Sequence, residues 1–271
     1  MAKKAAGTKK TATKTASAAK SSTKTTVRSA SVTKPSNRVA SWRAAMNRGP
    51  VPASALVAEF LGAFAFAGII LATSGNQLIV LFGLTAIVLT FAAISGAHVN
   101  PALTIAAWVT RRIGGWKALG YVVAQVLGAM AAYLLLNTML KGTVDQATAA
   151  LSGQAAELFR VSPLMSGKEW YAFWAEVVAA GLFGFGVAAA WAHRTAVATA
   201  MTVGGSLFVA LLVGGKTAIL NPAMAVAVGA FDFSKAVAWP LGVWVLGAVI
   251  GATLGMALYS LVRDDAVRAR A

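Results

Sequence analysis

Long apolar segments fill most of the chain from residue 53 to residue 262, and they limit the folds open to it. Six of them approach or exceed the length of about 20 residues that an α-helix needs to cross a hydrocarbon layer. Inside a bilayer the backbone must satisfy its own hydrogen bonds, so these segments are predicted to be helices. The predicted helices are Ala53–Thr73, Gln77–Ile94, Ala118–Asn137, Trp170–Trp191, Ala196–Val213 and Val237–Val262.

The composition excludes several classes of protein. Charged residues make up 12% of the chain, against roughly a quarter in soluble domains. The chain has no Cys and two His, so neither a disulfide framework nor a metal site built from Cys or several His is expected. Within the predicted spans the only side chains charged at pH 7 are Glu59 and Glu176, which disfavours an enzyme or an ion-coupled transporter. No cofactor and no metal are predicted.

Two shorter apolar stretches, Pro101–Val109 and Pro222–Phe231, interrupt the series of long segments. Each is about half the length of a membrane span. Such stretches are typical of re-entrant half-helices, which enter the membrane and leave it on the same side. The predicted fold class is therefore an all-α integral membrane protein with six transmembrane helices and two re-entrant half-helices.

The two halves of the chain repeat one pattern. Glu59 near the start of the first helix is followed 41 residues later by Asn100, and Glu176 in the fourth helix is followed 45 residues later by Asn221. The repeats cover about residues 53–137 and 170–262, within a channel domain predicted over residues 50–265 and followed by a short cytoplasmic tail over 266–271. Because each half has three crossings, the repeat is inverted, and a transport pathway is expected between the halves.

Each half carries an Asn-Pro-Ala motif where its half-helix is predicted to begin. Asn is a good helix N-cap, and Pro at the first helical position costs no hydrogen bond. The two positive helix ends are expected to meet near the membrane midplane, where they repel cations while the Asn amides donate to a passing solute. The predicted pore motifs are Asn100, Pro101 and Ala102 in the first half, and Asn221, Pro222 and Ala223 in the second.

From residue 53 to residue 262 the chain resembles the aquaporin, or major intrinsic protein, family. The most specific stretch begins with Ser95-Gly-x-His98-x-Asn100-Pro-Ala-x-Thr104 and continues with Gly120-Tyr-x-x-Ala-Gln125-x-x-Gly128. The resemblance implies a passive channel for water or small neutral solutes such as glycerol, ammonia or hydrogen peroxide. It also implies assembly into a homotetramer. The buried glutamates Glu59 and Glu176 are expected to support the two loops. His98 is expected to pack within the first loop, because the sequence shows no partner for it, and the alternative is a pH-sensitive gate.

The selectivity filter departs from the family pattern. Met224 stands where the family usually has Arg after the second motif, Val209 stands where water-selective members have His, and Ala218 is the filter residue three positions before Asn221. The second-helix position is either Val80 or Phe82. The resulting constriction is predicted to be apolar and wider than usual, unless Met224 and Phe82 fill it.

A basic segment precedes the apolar part. Residues 1–49 contain twelve Lys or Arg and no acid, and they are predicted to be a disordered cytoplasmic tail. The tail is expected to be solvated and to help hold the N-terminus in the cytoplasm; the alternatives are binding to anionic lipid headgroups and, less favoured, to nucleic acid. With the tail inside, cations divide nineteen to five in favour of the cytoplasm, and seven to five without the tail, which predicts a multi-pass protein with both termini in the cytoplasm. Composition and the family resemblance favour a bacterial-type plasma (inner) membrane. The alternative function is a membrane tether that acts through this tail.

Overall fold

The structure, a computed structural model, describes residues 51–143, 158–231 and 236–268, and its regular structure in these ranges is helical. The tail predicted over residues 1–49 lies outside them. The last helix ends at Arg268, within the segment predicted as a short tail. The helices are α1 (Ala53–Ala72), α2 (Gln77–Phe91), α3 (Pro101–Val109), α4 (Gly115–Thr143), α5 (Glu169–Ala190), α6 (Ala196–Gly214), α7 (Pro222–Ala227), α8 (Ala238–Leu241) and α9 (Ala248–Arg268), with a 3₁₀ turn at Gly215–Thr217 and a π-helical segment at Gly242–Gly247.

Five helices in the described ranges are long and apolar enough to cross a membrane. They include α1, most of α4, α5, α6 with the turn that follows it, and the continuous helical run of α8, the π segment and α9. Helix α2 is shorter than its predicted span, Gln77–Ile94. Its 15 residues cover about 22 Å, because the chain turns after Phe91 to carry residues 95–100 back into the bundle.

The packing follows the inverted repeat. Helix α1 packs against α4 in the first half as α5 packs against α9 in the second, and α1 meets α2 as α5 meets α6. Each half-helix is held mainly by a long helix of the other half: α3 lies on α9, and α7 lies on α4. Each half therefore completes the core of the other.

Glycines allow the closest of these helix contacts. A Cβ atom at Gly128 of α4 would collide with the backbone carbonyl of Phe60 in α1, and one at Gly255 of α9 would collide with the carbonyl of Gly181 in α5. Both obstacles are backbone, so a small side chain cannot be accommodated by a rotamer change. Small residues at such crossings are the usual way for helices to approach closely in lipid.

The second half-helix is shorter than predicted. The sequence predicts apolar helix from Pro222 to Phe231, but α7 ends at Ala227. Gly229 takes a φ of 68°, and the N–H of Ala230 donates to the carbonyl of Ala225 at 2.9 Å, which is the pattern of a Schellman motif. The apolar residues after Ala227 therefore belong to the closing turn and the loop.

Candidate functional site

The first half-helix begins at the first Asn-Pro-Ala motif. The backbone of Asn100 is extended, and its Oδ1 accepts hydrogen bonds from the N–H groups of Ala102 at 2.8 Å and Leu103 at 3.4 Å. Pro101 occupies the first turn, where its missing N–H has no intrahelical role. The side-chain carbonyl of Asn100 is therefore used by its own helix, and its amide nitrogen points away from it.

The second half-helix begins in the same way. The Oδ1 atom of Asn221 accepts from the N–H groups of Ala223 at 3.1 Å and Met224 at 3.5 Å, and Pro222 occupies the first turn. Both asparagines are buried. The sequence-based expectation of two capped half-helices therefore matches the local geometry of α3 and α7.

The two asparagines lie at the meeting point of the half-helices and link them to each other. Nδ2 of Asn100 donates to the carbonyl of Leu220 at 2.8 Å, and Nδ2 of Asn221 donates to the carbonyl of Val99 at 3.0 Å. Each acceptor is the residue that precedes the other asparagine. Since an amide group has two N–H bonds, each side chain keeps one further donor beyond this link.

Glu59 of α1 organises the first loop. Its Oε1 accepts from the hydroxyl of Ser95 at 2.6 Å and from the N–H of His98 at 2.9 Å. Its Oε2 accepts from the N–H of Val99 and from Nε2 of Gln125, both at 2.7 Å. Glu59 is fully buried, so these four donors replace the water that a carboxylate otherwise needs.

Glu176 of α5 plays the equivalent part in the second loop with fewer bonds. It accepts from the N–H of Ile219 at 3.0 Å and from that of Leu220 at 2.6 Å. Val99 and Leu220 both have a positive φ, 41° and 61°, and each donates its N–H to the glutamate of its own half. That conformation costs roughly 1–3 kcal/mol for a residue with a branched side chain. The glutamates stabilise it and so aim both carbonyls at the opposite asparagine.

His98 is buried within the first loop among groups that the sequence does not reveal. Its Nδ1 lies 3.2 Å from Oγ1 of Thr104, and its ring meets Tyr121 edge to face and stacks on Trp191, both at 5.4 Å between centroids. Because it is packed on both faces, His98 has the surroundings of a loop-packing residue.

The two alternatives for the second-helix filter position lie on different sides of α2. Val80 is 3% exposed and belongs to the buried core, whereas Phe82 is 62% exposed. Phe82 shares its outer stripe with Leu78 and Leu89, which are also exposed. The structure thus places Val80 inside the bundle and Phe82 on its outer surface.

The other three filter candidates differ in burial. Met224 is 1% exposed and lies in the same buried cluster as Val80, with Ala218 packed against it. Val209 is half exposed on α6. Met224 therefore belongs to the packed core, whereas Val209 does not.

Several buried polar residues support the first loop without being predicted as site residues. Nε2 of Gln125 also donates to Oγ1 of Thr104 at 3.0 Å, and the hydroxyl of Tyr121 donates to the carbonyl of Ser95 at 2.7 Å. Their signal in the sequence is polarity itself, because Gln125 and Ser95 stand in or beside segments that are otherwise apolar. In the second half, Nε1 of Trp244 donates to the carbonyl of Thr217 at 2.9 Å and holds the residue before Ala218.

The membrane-spanning helices enclose two half-helices, which are joined to each other through paired asparagines. This arrangement defines a multi-pass membrane protein built as an inverted repeat. The family model described as "Major intrinsic protein" matches residues 53–259, about three quarters of the chain. The chain belongs to the major intrinsic protein family, as the Asn-Pro-Ala motifs predict.

Relatives and solved structures agree with this assignment. Over 213 residues the chain is 32% identical to glycerol uptake facilitator protein-like 6 of Lactiplantibacillus plantarum, a match that covers 73% of this chain and 93% of that protein. It is 30% identical over 184 residues to nodulin-26 of Glycine max, covering 66% of this chain but only 62% of that relative's length. The X-ray structure of the aquaglyceroporin from Plasmodium falciparum matches with a TM-score of 0.61 at 21% identity, over 79% of this chain and 97% of that one. The predicted aquaporin-like fold is thereby confirmed.

Proposed function

We propose that this protein is a passive channel that conducts water and small neutral solutes and excludes ions. The reciprocal link between Asn100 and Asn221 carries the proposal. It fixes two amides at the N-termini of two half-helices, each with one further donor for a solute that passes. The positive ends of both half-helices face this point, and their field opposes cations and protons.

The residues proposed to line the constriction are apolar and uncharged. We assign Val80, Ala218 and Met224 to it because they pack in or against the buried core, and Val209, although half exposed, because it stands at the filter position on α6. Phe82 is assigned to the outer surface because it is 62% exposed while Val80, the other alternative on α2, is buried. Without a fixed guanidinium the constriction has fewer donors for water, so discrimination against glycerol-sized solutes is weak. The relative from Lactiplantibacillus plantarum is named as a glycerol uptake facilitator-like protein, which supports glycerol as a candidate solute.

The setting of the channel is part of the same proposal. The protein acts in a plasma (inner) membrane, which its composition and family resemblance favour, and both termini lie in the cytoplasm, as the distribution of cations predicts. It assembles as a homotetramer, as the family resemblance implies. It moves solute without converting it and without a cofactor. Glu59 and Glu176 stabilise the two loops and are not catalytic.

Stopped-flow light scattering on proteoliposomes of the full chain tests this proposal. An impermeant osmolyte reports water flow through shrinkage, and a glycerol gradient reports glycerol flow through re-swelling. We expect both to be fast relative to empty vesicles, and the glycerol response to follow from the apolar constriction. Rates equal to those of empty vesicles in both arms would overturn the proposal.

The basic tail supports a second candidate function, that of a membrane tether. Its twelve cations in 49 residues, without one acid, suit an anionic lipid surface better than a specific nucleic-acid site. Deleting residues 1–49 separates the two functions, since conduction survives the deletion if the channel is the working part. Binding of the full chain to anionic vesicles that is lost on deletion, together with absent conduction, would favour the tether.

A further inference from the structure

An open basic cavity of about 300 Å³ lies where the first half-helix ends and α4 begins. It is lined by Trp108, Arg111, Arg112, Ile113, Gly114 and Gly115. None of these side chains is acidic, and three of them offer N–H donors. The cavity is at the opposite end of α3 from Asn100, so it is separate from the site described above.

Arg112 is fixed in place by the helices around the cavity. Its Nη2 donates to Oγ of Ser260 at 2.9 Å, and its guanidinium lies 5.5 Å from the ring centre of Trp191. This positive charge is therefore part of the wall. The indole of Trp108 lies against Gly115, with Nε1 3.3 Å from the place where a Cβ atom on that glycine would stand. Arg112 and Trp108 are thus held by neighbouring groups, whereas Arg111 is exposed at the cavity.

Arg111 supplies the mobile charge, and its backbone is unusual. The half-helices α3 and α7 end in turns of the same type. In α3 the N–H of Arg112 donates to the carbonyl of Ala107 at 2.7 Å, and in α7 the N–H of Ala230 donates to the carbonyl of Ala225. The left-handed position of that turn is Gly229 in α7 but Arg111, with φ 59°, in α3. Glycine is the favoured residue there, so the chain keeps an arginine at a conformational cost. Within the described ranges no carboxylate lies at salt-bridge distance from Arg111.

The surroundings of the cavity place it at the boundary between lipid tails and headgroups. Large apolar side chains next to it are exposed, among them Trp116 at 84%, Val109 and Leu119. Exposed Trp beside cations is typical of the membrane interface. The nearest described acid on α9, Asp264, lies one turn beyond Ser260 and pairs with Arg263 at 3.5 Å. A basic pocket in this position between membrane helices suits an anionic lipid headgroup.

We propose that this cavity binds the phosphate group of an anionic phospholipid. The phosphate is held by Arg111 and Arg112, with the indole N–H of Trp108 as a further donor, and the acyl chains lie along Trp116 and Leu119. A guanidinium pair offers the planar donors that phosphate oxygens accept best. The site is independent of conduction and of the basic tail, which is present in every variant below.

Native mass spectrometry of the detergent-solubilised full chain tests the site with three probes: dioctanoyl phosphatidylglycerol, dioctanoyl phosphatidylcholine and inorganic phosphate. The variant is Arg111→Gly, which removes the charge while placing the preferred residue at φ 59°, so its Tm is expected to equal or exceed that of the wild type. The matched control is Arg194→Gly, which removes one exposed cation elsewhere on the chain.

We expect phosphatidylglycerol to bind the wild type more tightly than phosphatidylcholine, and Arg111→Gly to weaken that binding about five-fold while Arg194→Gly leaves it unchanged. Equal losses in both variants would mean a general charge effect and would overturn the proposal, as would no loss in Arg111→Gly. Displacement of phosphatidylglycerol by millimolar inorganic phosphate would assign the cavity to a soluble anion instead of a lipid.

A second measurement does not depend on the arginine variants. Brominated lipids quench Trp fluorescence on contact, so the difference in quenching between the wild type and Trp108→Phe isolates the signal of Trp108 in reconstituted vesicles. We expect this difference to be larger with brominated phosphatidylglycerol than with brominated phosphatidylcholine at equal mole fraction. Equal differences would contradict an anion-selective site.

Discussion

Asn100 and Asn221 hold each other's loops in place, because the side-chain amide of each donates to the carbonyl that precedes the other, at 2.8 and 3.0 Å. Each asparagine therefore has three tasks. It caps its own half-helix, it fixes the loop of the other half, and in the proposed channel its remaining amide N–H is available to a solute. Both halves of the chain therefore contribute hydrogen-bonding groups to the point where the two half-helices meet, and neither half can form this link alone.

Replacing Asn100 tests this link. Asn100→Ala removes both the cap and the bond to the Leu220 carbonyl, and we expect the free energy of unfolding to fall by about 2 kcal/mol, roughly 1 from each. Asn100→Asp keeps the acceptors of the cap but not the donor. We expect water permeability in proteoliposomes to fall at least five-fold in both variants.

The matched control for this substitution is Asn76→Ala. Asn76 caps α2 by the same pattern, accepting from the N–H groups of Leu78 and Ile79, but it lies at the exposed end of its helix. We expect this variant to lose about 1 kcal/mol of stability, with water flow unchanged. Equal losses of flow in Asn76→Ala and Asn100→Ala would show that the link has no role in conduction.

The two buried glutamates are expected to differ in their contribution to stability. Glu59 accepts four hydrogen bonds and Glu176 accepts two. In Gln an NH₂ group replaces one of the two carboxylate oxygens. This new donor then faces the N–H or O–H groups that donated to that oxygen, and they lose their acceptor. We expect Glu59→Gln to cost about 3 kcal/mol and Glu176→Gln about half as much, measured by chemical unfolding in detergent. Glu169→Gln at the start of α5 serves as the control, and a larger loss in Glu176→Gln than in Glu59→Gln would refute the ranking.

Met224 is expected to control solute size at the constriction. It is buried at the position after the second Asn-Pro-Ala, so Met224→Ala opens space and should raise glycerol permeability several-fold relative to water. Met224→Arg narrows the same space, adds donors and should reduce glycerol permeability. Stopped-flow rates for water and for glycerol give the ratio of the two permeabilities in each variant. Met201→Ala, on the exposed side of α6, is the control, and an unchanged ratio in both Met224 variants would remove this residue from the path.

The close contact between α5 and α9 predicts a sharp contrast between two glycines. Gly255→Ala places a methyl group against the backbone of Gly181, so we expect a loss of at least ~2 kcal/mol in stability. At Gly205 on α6 nothing lies within 4 Å of the added carbon, and Gly205→Ala is expected to gain up to ~1 kcal/mol from helix propensity. Thermal unfolding in detergent compares the two. Similar melting temperatures for the two variants would mean that α5 and α9 move apart to admit the methyl group without a loss of stability.

Mercurial reagents offer a test of the path itself. The chain contains no Cys, so conduction by the purified protein is expected to be insensitive to them. Ala218→Cys introduces a thiol at a proposed constriction residue, and we expect a mercurial to block that variant. Ala192→Cys, in the exposed turn after α5, is the control. If the mercurial leaves Ala218→Cys fully active, Ala218 does not line the path.

The sequence alone was sufficient for the features that depend on local chemistry. Apolar length predicted the spans, and Asn followed by Pro predicted the starts of α3 and α7, because a cap and a first-turn proline act within one helical turn. The repeat of glutamate and asparagine predicted the inverted architecture. The prediction failed at two helix ends. Apolar residues continue past Phe91 in α2 and past Gly229 in α7, although the backbone has already turned at both places.

The tertiary structure decided what depends on groups far apart in the chain. Val99 and Leu220 adopt a positive φ that their side chains disfavour, and no local pattern predicts it. It exists because Glu59 and Glu176, about 40 residues away in each case, accept their N–H groups in a buried site. The same applies to the placement of Val80 inside and Phe82 outside, which depends on how α2 is rotated against its neighbours. Sequence determined which helices form, and only packing determined which way their ends and faces point.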